Sequence, residues 1–394
     1  MTTLSREMAL VASCCRWPPS PARDEAVRAA AEDVAWPLVA TLMRRHRVQA
    51  QARAALAAAG VMLPPALADH LARDAARLVL RNRLLGAESV RLQALFDAQG
   101  IASVLVKGAA LAEQAYGTQA IKHAKDIDLL VRHTDLAAAR GVAEHAGYRL
   151  QLPRARLSPH DMAKVLRYGR ELTMVHAATG VQLELHWRLT HNPRVLPDLD
   201  PGGATETVRW ADGDRALRTL PHDDLFAYLC VHGAAHGWIR LKWLADIAAW
   251  LSHHPPAEIE RLYHAAQQRE VGDIAGQALL LAHRLLAMPL PQTLRDTLER
   301  NAKVGRLVAA ALDLLAGPGA EAEIAERRAG QAKLIRARLM LSRDRADLWA
   351  YFRAHAIALE DVLALPLPRQ LELLFVLLRG PLWLARRLRA RHHT

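Results

Sequence analysis

The sequence predicts an α+β protein, with a small mixed sheet over roughly residues 100–190 held between N-terminal helices (1–99) and a larger C-terminal helical region (191–394). Three observations carry this expectation. Hydrophobic residues fill 52% of the chain but aromatic ones only 5%, with Ala and Leu dominant, so most of it reads as helix. Short runs bounded by glycine, with alternating polarity, cluster between 100 and 190. At 394 residues the chain is also long for a single core, which suits two or three folding units.

Residues 24–99 repeat apolar side chains at i, i+3 and i+4, predicting two or three helices interrupted at GVMLPPAL. GIASVLVKG is then a short buried strand, followed by a helix from Ala109 to Tyr116. After GTQAIKHAK, DIDLLV is a second strand, DLAAARGVAEHA a helix, and GYRLQL a third strand ending at Pro153. RELTMVHAA and GVQLELHW are two more strands around a turn at Thr179-Gly180. A Pro- and Gly-containing loop follows Leu189, and from Pro221 onward the pattern is helical. No fixed-period repeat occurs.

Fifty-two Lys and Arg against 40 Asp and Glu give a net charge of +12, which suits a polyanionic ligand such as a nucleotide, a nucleic acid or an anionic membrane surface. The basic-aromatic interleaving of an RNA-binding surface is missing. Cys14 and Cys15 are adjacent and, with Cys230, make no disulfide framework, so a reducing cytoplasm is expected. The opening MTTLSREMALVASCCRWPP has neither the apolar core nor the cleavage site of a signal peptide. The C-terminal LELLFVLLRGPLWLARRLRARHHT pairs an apolar face with Arg386, Arg387, Arg389 and Arg391 and is expected to pack on its own fold or to touch a partner or membrane surface weakly.

The chemistry concentrates in three short elements. In an extended strand, Asp126 and Asp128 project from one face while Ile127, Leu129 and Val131 face the other. Two anions so close repel each other unless a cation sits between them, and hard divalent ions with oxygen ligands do this well. In GVQLELHW the same alternation places Gln182, Glu184 and His186 together, so Glu184 is a third carboxylate candidate and His186 the nearest possible base. VLVKGAALAEQAY runs from strand into helix through Lys107-Gly108, where glycine admits a close phosphate and the helix start offers free N–H groups.

Strand, glycine, helix, then D-x-D on the next strand and an acidic residue on a later one resembles the DNA polymerase beta nucleotidyltransferase superfamily. VLVKGAALAEQAYG, KHAKDIDLLV, LELHW and HGAAHGWIRLKWLADI together resemble, over about residues 80–255, a bacterial family of uncharacterised nucleotidyltransferases. The resemblance implies that Asp126 and Asp128 bind two Mg²⁺ (or Mn²⁺) ions, that Glu184 binds the catalytic one, and that Gly108 lies beside the triphosphate. It departs from the superfamily's usual Gly-Ser pair, which is Gly108-Ala109 here; Lys107, Lys122 or Lys125 is then expected to supply the missing phosphate contact. Lys242 is expected to reach the phosphates from the helical region, or else to pair with Asp246 one turn along. His232 and His236 have a zinc-helix spacing, but Gly233 replaces a catalytic Glu, and the expected role is packing or else a substrate or phosphate contact.

The implied reaction moves a nucleoside monophosphate, expected to be AMP from ATP, to an acceptor that the sequence does not name: a small molecule, a peptide, a protein or an RNA end. The alternative is a catalytically impaired nucleotide-binding protein of the regulatory or toxin-antitoxin kind, for which the missing Ser argues. Neutralising Asp126 or Asp128 is expected to abolish transfer and leave the fold intact.

Overall fold

A computed structural model describes residues 4–153, 156–210, 216–316 and 328–365, with Leu367 and five residues between 371 and 378. It is a mixed α+β fold with one seven-stranded sheet. Five N-terminal helices precede it: α1 (Arg6–Cys14), α2 (Pro21–Ala30), α3 (Trp36–His46), α4 (Gln49–Ala58) and α5 (Pro65–Asp97). The sheet region then runs β1 (Ser103–Leu105), α6 (Ala109–Tyr116), β2 (Ile127–Val131), α7 (Leu136–His145), β3 (Tyr148–Leu152), α8 (Pro159–Tyr168), β4 (Glu171–His176), β5 (Gln182–His186), β6 (Glu206–Arg209) and β7 (Ala216–Thr219). Helices follow from α9 (His222–Ala235) and α10 (Leu241–Leu251) through α11 (Pro256–Gln268), α12 (Gly272–Leu286), α13 (Gln292–Arg300), α14 (Ala302–Ala316), α15 (Arg328–Leu339), α16 (Arg345–Ala356) and α17 (Leu359–Ala364).

The five expected strands form. Two more, β6 and β7, lie where the Pro- and Gly-containing segment read as loop, and α8 fills the expected gap between β3 and β4. β6 and β7 are short, and β6 has one buried residue in four, so their sequence carries almost no strand signal. Strand order is β3-β4-β5-β2-β1-β7-β6. β2 pairs with β5, and β1 with β7, in parallel; every other neighbouring pair is antiparallel.

Helices cover both faces because the strands are apolar on both. Ile127, Leu129 and Val131 of β2, with Leu183 and Leu185 of β5, pack under α5 and α7 through Leu92, Phe96, Leu136 and Ala139. On the opposite face Val104, Val106 and Leu130 join a larger core shared with α1, α6, α9, α10 and α12. Asp126, just ahead of β2, Asp128 within it and Glu184 in the middle of β5 share the face of Leu130. Among the described residues no helix is long and apolar enough to cross a membrane. Arg386, Arg387, Arg389 and Arg391, singled out in the sequence, lie outside the described residues.

Candidate active site

Register, rather than proximity in sequence, assembles the site. The parallel pairing sets Asp128 opposite Glu184 and Leu130 opposite His186. The antiparallel hairpin of β4 and β5 sets Thr173 opposite Glu184 and Glu171 opposite His186. Ligand atoms of Asp128, Glu184 and His186 all lie within 4.8 Å of one another, a spacing that one cation can bridge. Gln182 Nε2 donates to Glu184 Oε1 at 2.9 Å and fixes that carboxylate. Asp126, just ahead of β2, is partly exposed at the mouth.

Cations of the chain hold these carboxylates together. Lys107 Nζ lies 2.9 Å from Asp128 Oδ2 and 3.7 Å from Asp126 Oδ1. His186 Nε2 lies 3.2 Å from Asp128 Oδ1 and 3.6 Å from Glu184 Oε2, while its Nδ1 is 3.2 Å from Glu171 Oε2. Burial would raise the Asp128 pKa, but Lys107 and His186 overcome it and hold the carboxyl far below the usual range. Burial likewise pulls His186 down, and its hydrogen bonds to Asp128 and Glu184 lift it to about 9. Asp126 is raised, first by burial and then by the charge on Asp128. The site thus holds a proton and an ammonium where divalent ions would be attracted.

Gly108 caps α6 at φ 72°, ψ −128°, a conformation open to glycine, and turns the chain from β1 into the helix beside the Asp126 carbonyl. The α6–β2 loop is anchored from α5: Asn82 Nδ2 donates to the carbonyls of Gln119 and Lys122 at 2.6 and 2.7 Å. This fixes Lys122, whose buried Nζ meets Asp246 Oδ2 at 2.5 Å; the Tyr116 hydroxyl donates to Asp246 Oδ1 at 3.0 Å. Asp246 therefore serves Lys122 and Tyr116, and among the described residues Lys242 makes no ion pair with it. Lys242 sits beneath Trp243 in a field set by Lys122, Lys107 and Arg47, and burial first, then these cations, lowers its pKa to about 7.

The sequence candidates therefore divide. Asp126, Asp128, Glu184, Lys107 and Gly108 converge, and Lys242 is near enough to act electrostatically on Asp126 and Lys107. Lys125 is exposed and lines a basic surface cavity with Arg47, Arg77 and Arg81, where Arg81 Nη2 donates to its carbonyl at 2.8 Å. His186, read in the sequence only as a possible base, enters the ligand group itself. Glu171 was not singled out, although the Thr179-Gly180 turn, by fixing the hairpin register, could have placed it opposite His186. His232 and His236 pack with ring centroids 4.8 Å apart, and His236 stacks on Trp243. A Cβ at Gly233 would collide with the Trp238 ring, so glycine there serves packing.

A family model described as "Uncharacterised nucleotidyltransferase" matches residues 32–287, well over half of the chain. The chain belongs to that family. The match begins ahead of α3, leaving out α1 and α2, and runs through α12, so the family unit of this nucleotidyltransferase is wider than the stretch whose motifs carry the resemblance. No curated protein matches the chain.

Proposed function

We propose that this nucleotidyltransferase transfers a nucleoside monophosphate, AMP from ATP, to an acceptor hydroxyl with the help of two divalent cations. The observation that carries the reading is the Asp128–Glu184 register pair with Asp126 and His186 beside it, facing a glycine-led helix start. The donor set fits Mg²⁺ or Mn²⁺ well: carboxylates in excess, one imidazole, and no thiolate. Asp126 and Asp128 would hold both ions, and Glu184, with His186 alongside, the one nearer the acceptor.

Bound divalent ions supply a more acidic acceptor hydroxyl and charge neutralisation on the phosphates. The chain's own residues position the reaction. Gly108 lets the backbone approach the triphosphate, and the first N–H groups of α6 point at it. Lys107 and Lys242 supply the positive charge that Ala109, lacking a hydroxyl, does not direct. The acceptor oxygen bonds to the α-phosphorus, the bond from that phosphorus to the oxygen bridging to the β-phosphate breaks, pyrophosphate leaves with the electron pair, and the hydroxyl proton passes to water.

The test is incubation of the pure full-length protein with α-labelled ATP, GTP, CTP or UTP, Mg²⁺ and cell extract. Transfer of label to one acceptor, with matching pyrophosphate release, is the expected result. Retention of nucleotide with neither label transfer nor pyrophosphate would replace this reading with the nucleotide-binding regulatory one.

A further inference from the structure

The entry to β4, the segment after β5 and α16 line a cavity of about 350 Å³, which Arg170 joins to the carboxylate group through Glu171. Sheet order creates the two sides. β1, which leads into Lys107, and β4, which carries Glu171, flank the β2–β5 pair that bears Asp128 and Glu184. The cavity walls are cationic: Arg167, Arg170, Arg188, Arg194 and Arg353 line it with Trp349, and no Asp or Glu is among the lining residues described.

Arg170 belongs to both places. Its Nη2 is 2.7 Å from Glu171 Oε2, the same oxygen that lies 3.2 Å from His186 Nδ1. Arg188 is fixed in the wall, its Nη2 donating to the carbonyls of Leu166, Arg167 and Gly169 at 2.8, 3.0 and 2.6 Å. Arg194 is pinned from behind by Asp344 and Asp347. Arg353 stands exposed at the rim and makes no ion pair among the described residues, and Trp349 shows 52% of its surface.

An in-line displacement places the entering oxygen and the leaving pyrophosphate on opposite sides of the α-phosphorus. With the triphosphate on the Gly108 side, an entering acceptor would lie on the β4 side, where Arg170 and Glu171 stand. We propose that the arginine-lined cavity between β4 and α16 seats the acceptor, and that the acceptor carries a phosphate group near the hydroxyl that is modified. The inference rests on the nucleotidyltransferase reading above. Guanidinium forks match phosphate oxygens bidentately, and Arg353 is the wall's arginine with no ion pair among the described residues. Trp349 offers a flat face on which a base could stack. The acceptor's own phosphate is unchanged: its hydroxyl oxygen bonds to the α-phosphorus, pyrophosphate departs, and the proton goes to water. A sugar phosphate and the terminal nucleotide of an RNA share this chemistry.

The test is calorimetric titration of the full-length protein, in EDTA, with glycerol 3-phosphate, glucose 6-phosphate and an oligoadenylate ending in a 3′-hydroxyl, each beside its phosphate-free counterpart (for the RNA, adenosine). Phosphorylated probes are expected to bind, with Arg353→Glu weakening them by about tenfold or more while Mg-ATP binding holds. Lys242→Met should do the reverse. Trp349→Ala should weaken the oligoadenylate alone if the natural acceptor is a nucleic acid end, and none of the probes if it is a sugar phosphate. Probes that bind no better than their phosphate-free counterparts, or bind Arg353→Glu as they bind wild type, overturn the proposal. Failure of the underlying reading is separate: probe binding lost in Arg353→Glu, with no pyrophosphate from any nucleotide, keeps a phosphate pocket and removes its acceptor role.

Discussion

Asp128 and Glu184 face one another across two parallel strands, and His186 closes the group from the next position of the same strand face. Asp128 is also the shared partner of the partly exposed Lys107 ammonium and the buried His186 ring, whose pKa its hydrogen bonds raise to about 9. The two aspartates of the D-x-D motif are therefore not equivalent.

Asp128→Asn should abolish transfer and also destabilise the protein by about 1–3 kcal/mol, because it removes the buried carboxylate that Lys107 and His186 share. The sequence alone led to the expectation that either aspartate could be neutralised without harm to the fold; for Asp128 the structure points the other way. Asp126→Asn should abolish transfer but leave thermal stability in EDTA equal or slightly higher, since burial and Asp128 already raise the pKa of its carboxyl. Paired melting curves in EDTA decide it, and equal losses for both variants would contradict the assignment.

Lys107 competes with any divalent ion for Asp126 and Asp128. Lys107→Met should tighten Mn²⁺ binding to the nucleotide-free protein and weaken Mg-ATP binding by about 1.5–3 kcal/mol, the worth of a hydrogen bond to a charged group. Calorimetry with Mn²⁺ alone and with Mg-ATP reads both, and affinities that move together would show that Lys107 serves only one ligand.

Lys242 should make nucleotide binding proton-linked. Its pKa is about 7 in the fold against 10.5 ordinarily, so between these values the unfolded chain binds more protons and stability rises with pH. Below about pH 7 Lys242 is charged in both states and its contribution to this slope disappears. A triphosphate beside Lys242 favours the ammonium, so binding at pH 8 should take up as much as one proton. Titration heats in two buffers of different ionisation enthalpy measure the uptake; Lys242→Met should erase the difference between them.

Gly108→Ala tests the phosphate approach. A Cβ there meets nothing nearer than the Asp126 carbonyl at 3.9 Å, so the penalty is conformational, about 1–3 kcal/mol for a side chain held at φ 72°. Chemical denaturation should show that loss, and Mg-ATP affinity should fall while Mn²⁺ affinity is kept. An unaltered denaturation midpoint would mean the turn relaxes without help from glycine.

Strand alternation is a local property, which is why the shared face of Asp126 and Asp128, and that of Gln182, Glu184 and His186, could be read directly from the chain. The Gly108 turn was legible for the same reason, since a positive φ is set by one residue. The sequence by itself thus determined an α+β chain with a carboxylate-bearing strand pair and a glycine-led helix, and its motifs pointed to the family. Tertiary structure alone decided that β2 and β5 are neighbours, that Lys107 fills the space between the aspartates, and that Asp246 answers Lys122 from 124 residues away rather than Lys242 one turn along the same helix. It also decided that β6 and β7 complete the sheet and that Lys125 is exposed in a cavity beside Arg81. The physical reason is range: side-chain periodicity is fixed by backbone geometry within a few residues, whereas charge partners are chosen by whichever group the packing of distant elements leaves within reach and out of water.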